Sequence, residues 1–336
     1  MSVKVAINGF GRIGRLAFRL MFGNPDFEIV AINDLTDAQQ LAYLLKYDSS
    51  QGRYGKNVSF EGNEIIVEGI RIPVLSQKDP VLLPWKQYQV DVVLECTGIF
   101  TTREKASFHL QAGAKKVVLS APAKDKDIPT VVYGVNESIL TGDETIVSAA
   151  SCTTNCLAPI AKILDDNFGI VRGFMTTVHA YTNDQITLDG PHKAGIASRR
   201  GRTAASNIVP TTTGAAKAVA QVLPQLKGRL DGIALRVPVV TGSVVDLVVE
   251  LKTPVTKEMV NNAVKAAQSD IVGYTEDPIV SSDVIGITQG TMFDSLMTTI
   301  LDTDGKQLVK VVSWYDNEMS YTAQMIRTLK HFAELL

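Results

Sequence analysis

A disulfide framework is excluded at the outset, because the 336 residues hold only three cysteines, Cys96, Cys152 and Cys156, at irregular spacing. No Cys-x-x-Cys pair offers a zinc site, so no metal is expected, and a reducing compartment suits such a chain best. Charge of one sign is also missing. A formal net charge of -2 gives no general attraction to nucleic acid or to an acidic membrane surface. Neither partner is expected, and Arg199, Arg200 and Arg202 form the only conspicuous basic cluster. No apolar run approaches the roughly 18 residues that a membrane span requires. The N-terminus passes directly from Met1 into Val3-Lys4-Val5-Ala6-Ile7, without the marks of a signal peptide, and a cytoplasmic location is expected. Repeats, low-complexity tracts and linkers rich in Gly, Ser and Pro are absent as well.

What is present is the composition of an ordinary globular protein, 45% hydrophobic and 20% charged, in a chain long enough for two cores. Residues 1–150 alternate short β-branched runs with helical patterns, the mark of a parallel sheet with crossover helices. The best strands are Val3 to Asn8, Glu28 to Asn33, Val90 to Cys96, Lys116 to Ser120 and Thr145 to Ser148. Between the first two, Ile13, Leu16, Ala17, Leu20 and Met21 recur at the helical period and predict one buried face.

After Ser151 the strands come in runs: Gly173 to Ala180, Ile233 to Val240, Val244 to Leu251 and Leu308 to Tyr315. Helices interrupt them at 214–222 and 256–268. This pattern predicts an α+β domain over 151–315, with a largely antiparallel sheet covered by helices on one face. Residues 316–336 read as a helix with Met325, Ile326, Leu329, Phe332, Ala333 and Leu336 on one side, expected to dock on the first domain.

Gly9-Phe10-Gly11-Arg12-Ile13-Gly14 reads G-x-G-x-x-G, a weak signal alone. Here it follows a strand and opens a helix, so Gly9 can make the turn, Gly11 can admit a pyrophosphate, and Gly14 can let helix and strand pack. The helix start offers N–H groups and partial positive charge to the diphosphate. Asp34 follows at the end of the second strand, where a Rossmann-type fold places an acid against the adenosine ribose. Its carboxylate repels a 2'-phosphate, and Leu35, Thr36 and Asp37 supply no cation to offset this, so NAD is expected rather than NADP.

Ser151-Cys152-Thr153-Thr154-Asn155-Cys156 follows a strand and leads into a helical stretch from Leu157. Cys152 then stands in the first turn, where the helix dipole and a neighbouring imidazolium lower a thiol pKa. A fall from about 8.5 to about 6 turns a few per cent of thiolate into a large majority at neutral pH. From the residues alone, a nucleophile and a buried thiol fit Cys152 equally. Cys156, one turn deeper, and Cys96, at a strand end, read as packed thiols. Of the four histidines, His179 sits where a hydroxyl-rich strand runs into a loop, and the residues alone leave it open between a base and a hydrogen-bonded structural group.

The chain resembles the glyceraldehyde-3-phosphate dehydrogenase family from end to end. The match is carried by Ile7-Asn8-Gly9-Phe10-Gly11-Arg12-Ile13-Gly14-Arg15, Asn33-Asp34, Glu95-Cys96-Thr97-Gly98, Ser120-Ala121-Pro122 and Ser151-Cys152-Thr153-Thr154-Asn155-Cys156-Leu157-Ala158-Pro159. It continues through His179-Ala180-Tyr181-Thr182, Thr213-Gly214-Ala215-Ala216-Lys217-Ala218, Arg236-Val237-Pro238 and Trp314-Tyr315-Asp316-Asn317-Glu318. The resemblance implies that Cys152 attacks an aldehyde and His179 removes protons, giving a hemithioacetal and then a thioester that inorganic phosphate cleaves. It implies glyceraldehyde 3-phosphate as substrate, Thr182 and Arg236 on one anion, and Ser151, Thr153, Arg199, Thr213 and Gly214 on the other. Arg12, Ile13, Lys78, Ser120 and Asn317 join the cofactor residues, and a homotetramer is implied. Lys193 to Ser198 departs from the family pattern, being more apolar and slightly longer. Rival expectations are a dehydrogenase for another phosphorylated aldehyde, such as erythrose 4-phosphate, and a binding protein for RNA or a host ligand.

Overall fold

The computed structural model describes residues 2–336, which divide into two compact units. The first comprises the chain up to Tyr133, Glu137–Ala150 and Met325–Leu336; the second comprises Gly134–Asn136 and Ser151–Gln324. The last helix is therefore shared, since residues 316–324, which the sequence pattern assigned to the first domain, make their contacts in the second unit.

The first unit holds β1 (Val3–Asn8), α1 (Arg12–Met21), β2 (Phe27–Asn33), α2 (Ala38–Lys46), β3 (Val58–Glu61), β4 (Glu64–Val67), β5 (Ile70–Leu75), β6 (Val92–Glu95), α3 (Arg103–Gln111), β7 (Lys116–Leu119) and β8 (Ile146–Ser148). Its eight-stranded sheet runs β3-β4-β5-β2-β1-β6-β7-β8. From β5 through β2 to β8 every pairing is parallel, while β3, β4 and β5 form an antiparallel meander. Val5 to Ile7, Val92 to Leu94 and Val117 to Leu119 are wholly buried, as befits parallel strands covered on both faces. The meander carries polar residues, among them Ser59, Glu61, Glu64 and Arg71, which hide its alternation in the sequence.

The second unit holds α4 (Cys152–Phe168), β9 (Ile170–Ala180), β10 (Val209–Thr212), α5 (Ala215–Val222), β11 (Leu230–Val237), β12 (Ser243–Leu251), α6 (Lys257–Ala266), β13 (Val272–Thr275), β14 (Thr291–Thr303) and β15 (Lys306–Tyr315); α7 (Met319–Glu334) begins in it. Its sheet runs β10-β11-β9-β12-β15-β14-β13, antiparallel except for the pairs β11 with β9 and β13 with β14. Helices α4, α5 and α6 pack on one face. The other face presents Phe174, Ile233, Leu301 and Leu308 to solvent.

Helix α4 runs unbroken through Pro159, although an internal proline costs about 3 kcal/mol. Burial outweighs this, because every residue from Thr153 to Ala161 is buried and Cys156, Leu157 and Ile160 pack against Val245, Leu247 and Val311 of the sheet. Among the described residues no helix is long and apolar enough to cross a membrane, and no cluster of His, Cys, Asp and Glu could hold a metal.

Candidate active site

The dinucleotide half is built from the carboxyl ends of β1 and β2. Gly9 turns with φ +90°, a conformation that only glycine adopts freely. A Cβ on Gly14 would fall 2.2 Å from the Gly9 carbonyl oxygen, so only glycine lets α1 pack this close. A Cβ on Gly11 would meet nothing within 4 Å, and no side chain caps the start of α1. That open approach to an uncapped helix start suits a diphosphate. Asp34 accepts from Phe10 N–H at 2.7 Å and Thr36 N–H at 2.9 Å, which pins its carboxylate to the glycine turn and leaves further lone pairs for ribose hydroxyls. The residues present fit NAD.

The remaining cofactor candidates take varied places. Arg12 pairs with Asp48, while Ile13 follows it in the first turn of α1. Lys78 is exposed beside Gln77, and Ser120 follows β7 with its N–H on the Glu95 carbonyl. In the second unit Asn317 Oδ1 accepts from Gly242 N–H at 3.2 Å and Ser243 Oγ at 2.9 Å. Its carbonyl end is thereby committed, and its NH2 end is the one available to a ligand.

The reacting groups lie in the second unit. Ser151 caps α4 by accepting from Thr154 N–H at 3.2 Å, and Cys152 is the first helical residue. Its Sγ is 3.3 Å from Nε2 of His179, which β9 delivers. The His179 ring stands edge-on to Tyr315 at a centroid distance of 5.9 Å. Tyr315 Oη is in turn held at 2.8 Å by both Thr153 Oγ1 and Thr177 Oγ1. The Thr153 hydroxyl thereby belongs to this support.

Arg236 of β11 is the ladder partner of His179, with Nη1 3.1 Å from the Ala180 carbonyl and 3.5 Å from Thr182 Oγ1. Its Nε is buried without a partner among the described residues, a donor that an anion would satisfy. Thr213 and Gly214 open α5, where a Cβ on Gly214 would meet nothing within 4 Å.

Arg199 departs from the expectation. It is exposed, its backbone is left-handed, and it lines a separate cleft of about 510 Å³ with Asp189, His192, Ile196 and Arg202. Its neighbour Arg200 is half-buried, bonds Asp184 and Thr211 Oγ1, and lies near enough to lower the basicity of both His179 and Arg236. Arg200 is thus the loop arginine whose charge reaches the His179–Arg236 pair.

The electrostatics differ from expectation in two respects. The Cys152 thiol is raised rather than lowered, because burial outweighs the Arg236 guanidinium, the Thr153 hydroxyl and the N–H groups of Cys152 and Thr153, which pull it down. Burial and the same guanidinium hold His179 far below its ordinary value, at about 3. No imidazolium stands ready beside the sulfur. The imidazole is neutral, and its Nε2 stands 3.3 Å from the sulfur, within reach of the thiol proton. Cys156 is wholly buried against Thr291 and the Ser313 carbonyl, and burial pushes its thiol up to about 12.

A dinucleotide-binding unit joined to one with a thiol–imidazole pair among cations defines an NAD-dependent oxidoreductase that works through a covalent thiol. Comparison with known proteins makes the class specific. Residues 3–103 match the NAD binding domain of glyceraldehyde 3-phosphate dehydrogenase, and residues 151–317 match its C-terminal domain. The chain is 60% identical over 332 residues to the glyceraldehyde-3-phosphate dehydrogenase of Clostridium pasteurianum, covering 99% of each. It is 56% identical over 336 residues to that of Streptococcus pyogenes, covering 100% of this chain and 99% of the relative. The chain belongs to the glyceraldehyde 3-phosphate dehydrogenase family.

Proposed function

We propose that this chain oxidises glyceraldehyde 3-phosphate and joins the product to inorganic phosphate, giving 1,3-bisphosphoglycerate in glycolysis. The observation that carries the reading is the 3.3 Å approach of Cys152 Sγ to His179 Nε2 beside Arg236. As Sγ attacks the aldehyde carbon, Nε2 takes the thiol proton and hands it to the carbonyl oxygen, which becomes the hydroxyl of a hemithioacetal on Cys152. His179 then removes that hydroxyl proton as the C–H bond breaks. When bound, NAD supplies the acceptor for the hydride that leaves. A thioester remains on Cys152. An oxygen of inorganic phosphate attacks its carbonyl, Sγ departs as thiolate, and the acyl phosphate is released.

Two anions are held in this scheme. Arg236 and Thr182 receive one, and Arg236's unpartnered Nε supports that role. Ser151, Thr213 and Gly214 receive the other, with Arg200 in the place expected of Arg199. On the cofactor side Gly9, Gly11, Arg12, Ile13, Gly14, Asp34, Lys78, Ser120 and Asn317 hold NAD. Assembly as a homotetramer in the cytoplasm completes the proposal, supported by the uncovered apolar sheet face around Phe174 and Ile233. The test is NADH formation from NAD and glyceraldehyde 3-phosphate. A signal that needs phosphate or arsenate is expected, and its absence sinks the reading.

A further inference from the structure

Beneath the dinucleotide site the carboxyl ends of three strands are tied together by buried side chains to which no role has been given so far. Asn8, Asn33 and Glu95 end β1, β2 and β6 and stand in register, Asn8 opposite both others. Asn8, Glu95 and His109 are 2%, 1% and 0% exposed, so each bond between them forms away from water.

Chemistry fixes the direction of every link. The indole N–H of Trp85 can only donate, and it meets His109 Nδ1 at 3.0 Å. The proton of a neutral imidazole therefore sits on Nε2, which faces Glu95 Oε2 at 3.0 Å. From the other side, Gln77 N–H donates to Asn33 Oδ1 at 2.9 Å, which turns Asn33 Nδ2 toward Asn8 Oδ1 at 2.7 Å. Asn8 is thereby oriented to donate through Nδ2 to Glu95 Oε2 at 2.5 Å. Glu95 Oε1 accepts the Thr97 N–H at 2.7 Å and also the Thr97 hydroxyl. Both branches end as donors on one carboxylate.

That carboxylate holds the Thr97 turn, and the Thr97 turn walls the glycine loop. A Cβ on Gly9 would fall 2.9 Å from Thr97 Cγ2, Thr97 N and the Cys96 carbonyl carbon. The path of Gly9, which decides how closely backbone can approach a pyrophosphate, is thus set against a surface that Glu95 fixes. The same chain reaches Gln77, next to Lys78, and Asn33, next to Asp34.

We propose that Glu95 is a positioning residue for the dinucleotide, oriented by Asn8 and His109, that sets affinity for the pyrophosphate end without touching it. The inference rests on the dinucleotide role of this unit read above. Glu95→Gln turns an NH2 group toward donors. In the full-length protein, calorimetric binding of NAD and of ADP-ribose should weaken together by about tenfold, since charged buried hydrogen bonds are lost. KM for NAD should rise in step while kcat at saturating NAD stays within about twofold. Thr97→Val, a milder change that removes one hydroxyl donor, should weaken both ligands in the same direction by about threefold. Lys116→Met removes a different buried polar contact of this unit, the ammonium on the Phe332 and Leu335 carbonyls, and should lower Tm with NAD affinity unmoved. Unchanged NAD affinity in either folded Glu95 or Thr97 variant overturns the proposal, as does an equal loss in Lys116→Met. Wild-type protein that binds no NAD would instead overturn the dinucleotide reading itself.

Discussion

Arg236 and His179 face each other across the parallel pair β11 and β9, with Nη1 2.9 Å from Nδ1. A guanidinium has only donors, so Nδ1 cannot serve both it and the Ala180 carbonyl, which lies 2.7 Å away and must accept. The shorter contact puts the proton on Nδ1 and lets Arg236 share the same carbonyl at 3.1 Å. Nε2 is then bare toward Cys152, the tautomer that a base needs. One register pair thus sets a guanidinium near the sulfur and orients the imidazole that faces it.

The sulfur therefore depends on the imidazole as a proton acceptor. In His179→Asn that acceptor is gone and burial, which raises the thiol, is less opposed. The reactive thiolate exists above the thiol pKa, so raising that pKa moves the alkylation profile to higher pH. The iodoacetamide rate at neutral pH should fall by about tenfold or more, one pKa unit being a factor of ten. An unmoved profile would show that Cys152 ionises without His179.

Cys152 and Cys156 share a helix but not an environment. Cys152→Ser should cut turnover by about a thousandfold or more with NAD binding intact, because an activated nucleophile is lost. Cys156→Ser places a hydroxyl where a buried thiol met Thr291 and the Ser313 carbonyl, and should cost stability while keeping much of the activity. Steady-state kinetics with NAD titration separates the two, and equal loss would mean the nucleophile is misassigned.

The parts of the site that are local in sequence were legible there. The glycine turn, Asp34 and the cysteine at a helix start each occupy a few consecutive residues whose types state their backbone geometry. Edge strands β10 and β13 and the long β14 were not, since short or polar strands lack the period-two pattern. The Glu95 network joins residues such as Asn8 and Glu95, 87 positions apart, and no spacing rule connects them. The inward turn of Arg200 beside the exposed Arg199 was illegible for a related reason. Both are arginines in a loop that departs from the family pattern, and only the fold of that loop decides which one turns inward.

That distinction has a kinetic consequence. Arg236→Ala and Arg200→Ala each remove a cation from the cluster and should raise KM for substrate or phosphate by about tenfold or more, the scale of a charge-assisted hydrogen bond. Arg199→Ala removes an exposed side chain and should change either KM by less than about twofold. Initial rates with each ligand varied in turn would reverse the assignment if Arg199→Ala proved the more damaging.

The proposed ribose contact of Asp34 makes cofactor preference testable at one residue. Its carboxylate is anchored by Phe10 and Thr36 N–H groups, so it cannot swing away from a 2'-phosphate. Asp34→Ala should weaken NAD and relieve the repulsion toward NADP, narrowing the ratio of kcat/KM values by about tenfold, the worth of one lost charge contact. An unchanged ratio would count against any ribose contact.

The uncovered sheet face sets the last expectation. Phe174 is 72% exposed and Ile233 49%, on neighbouring strands of the face that no helix covers. Asp246 and Lys310 form an ion pair of 2.6 Å on that face. An apolar surface with a large exposed aromatic and an ion pair beside it suits a subunit contact. The double variant Phe174→Glu with Ile233→Glu puts like charges into that contact from every copy at once. Light scattering should then report a smaller species than the wild-type protein does, because uncompensated buried charge costs several kcal/mol, on the order of 3 to 5 per site. A variant that keeps the wild-type mass would move the assembly contacts to another surface.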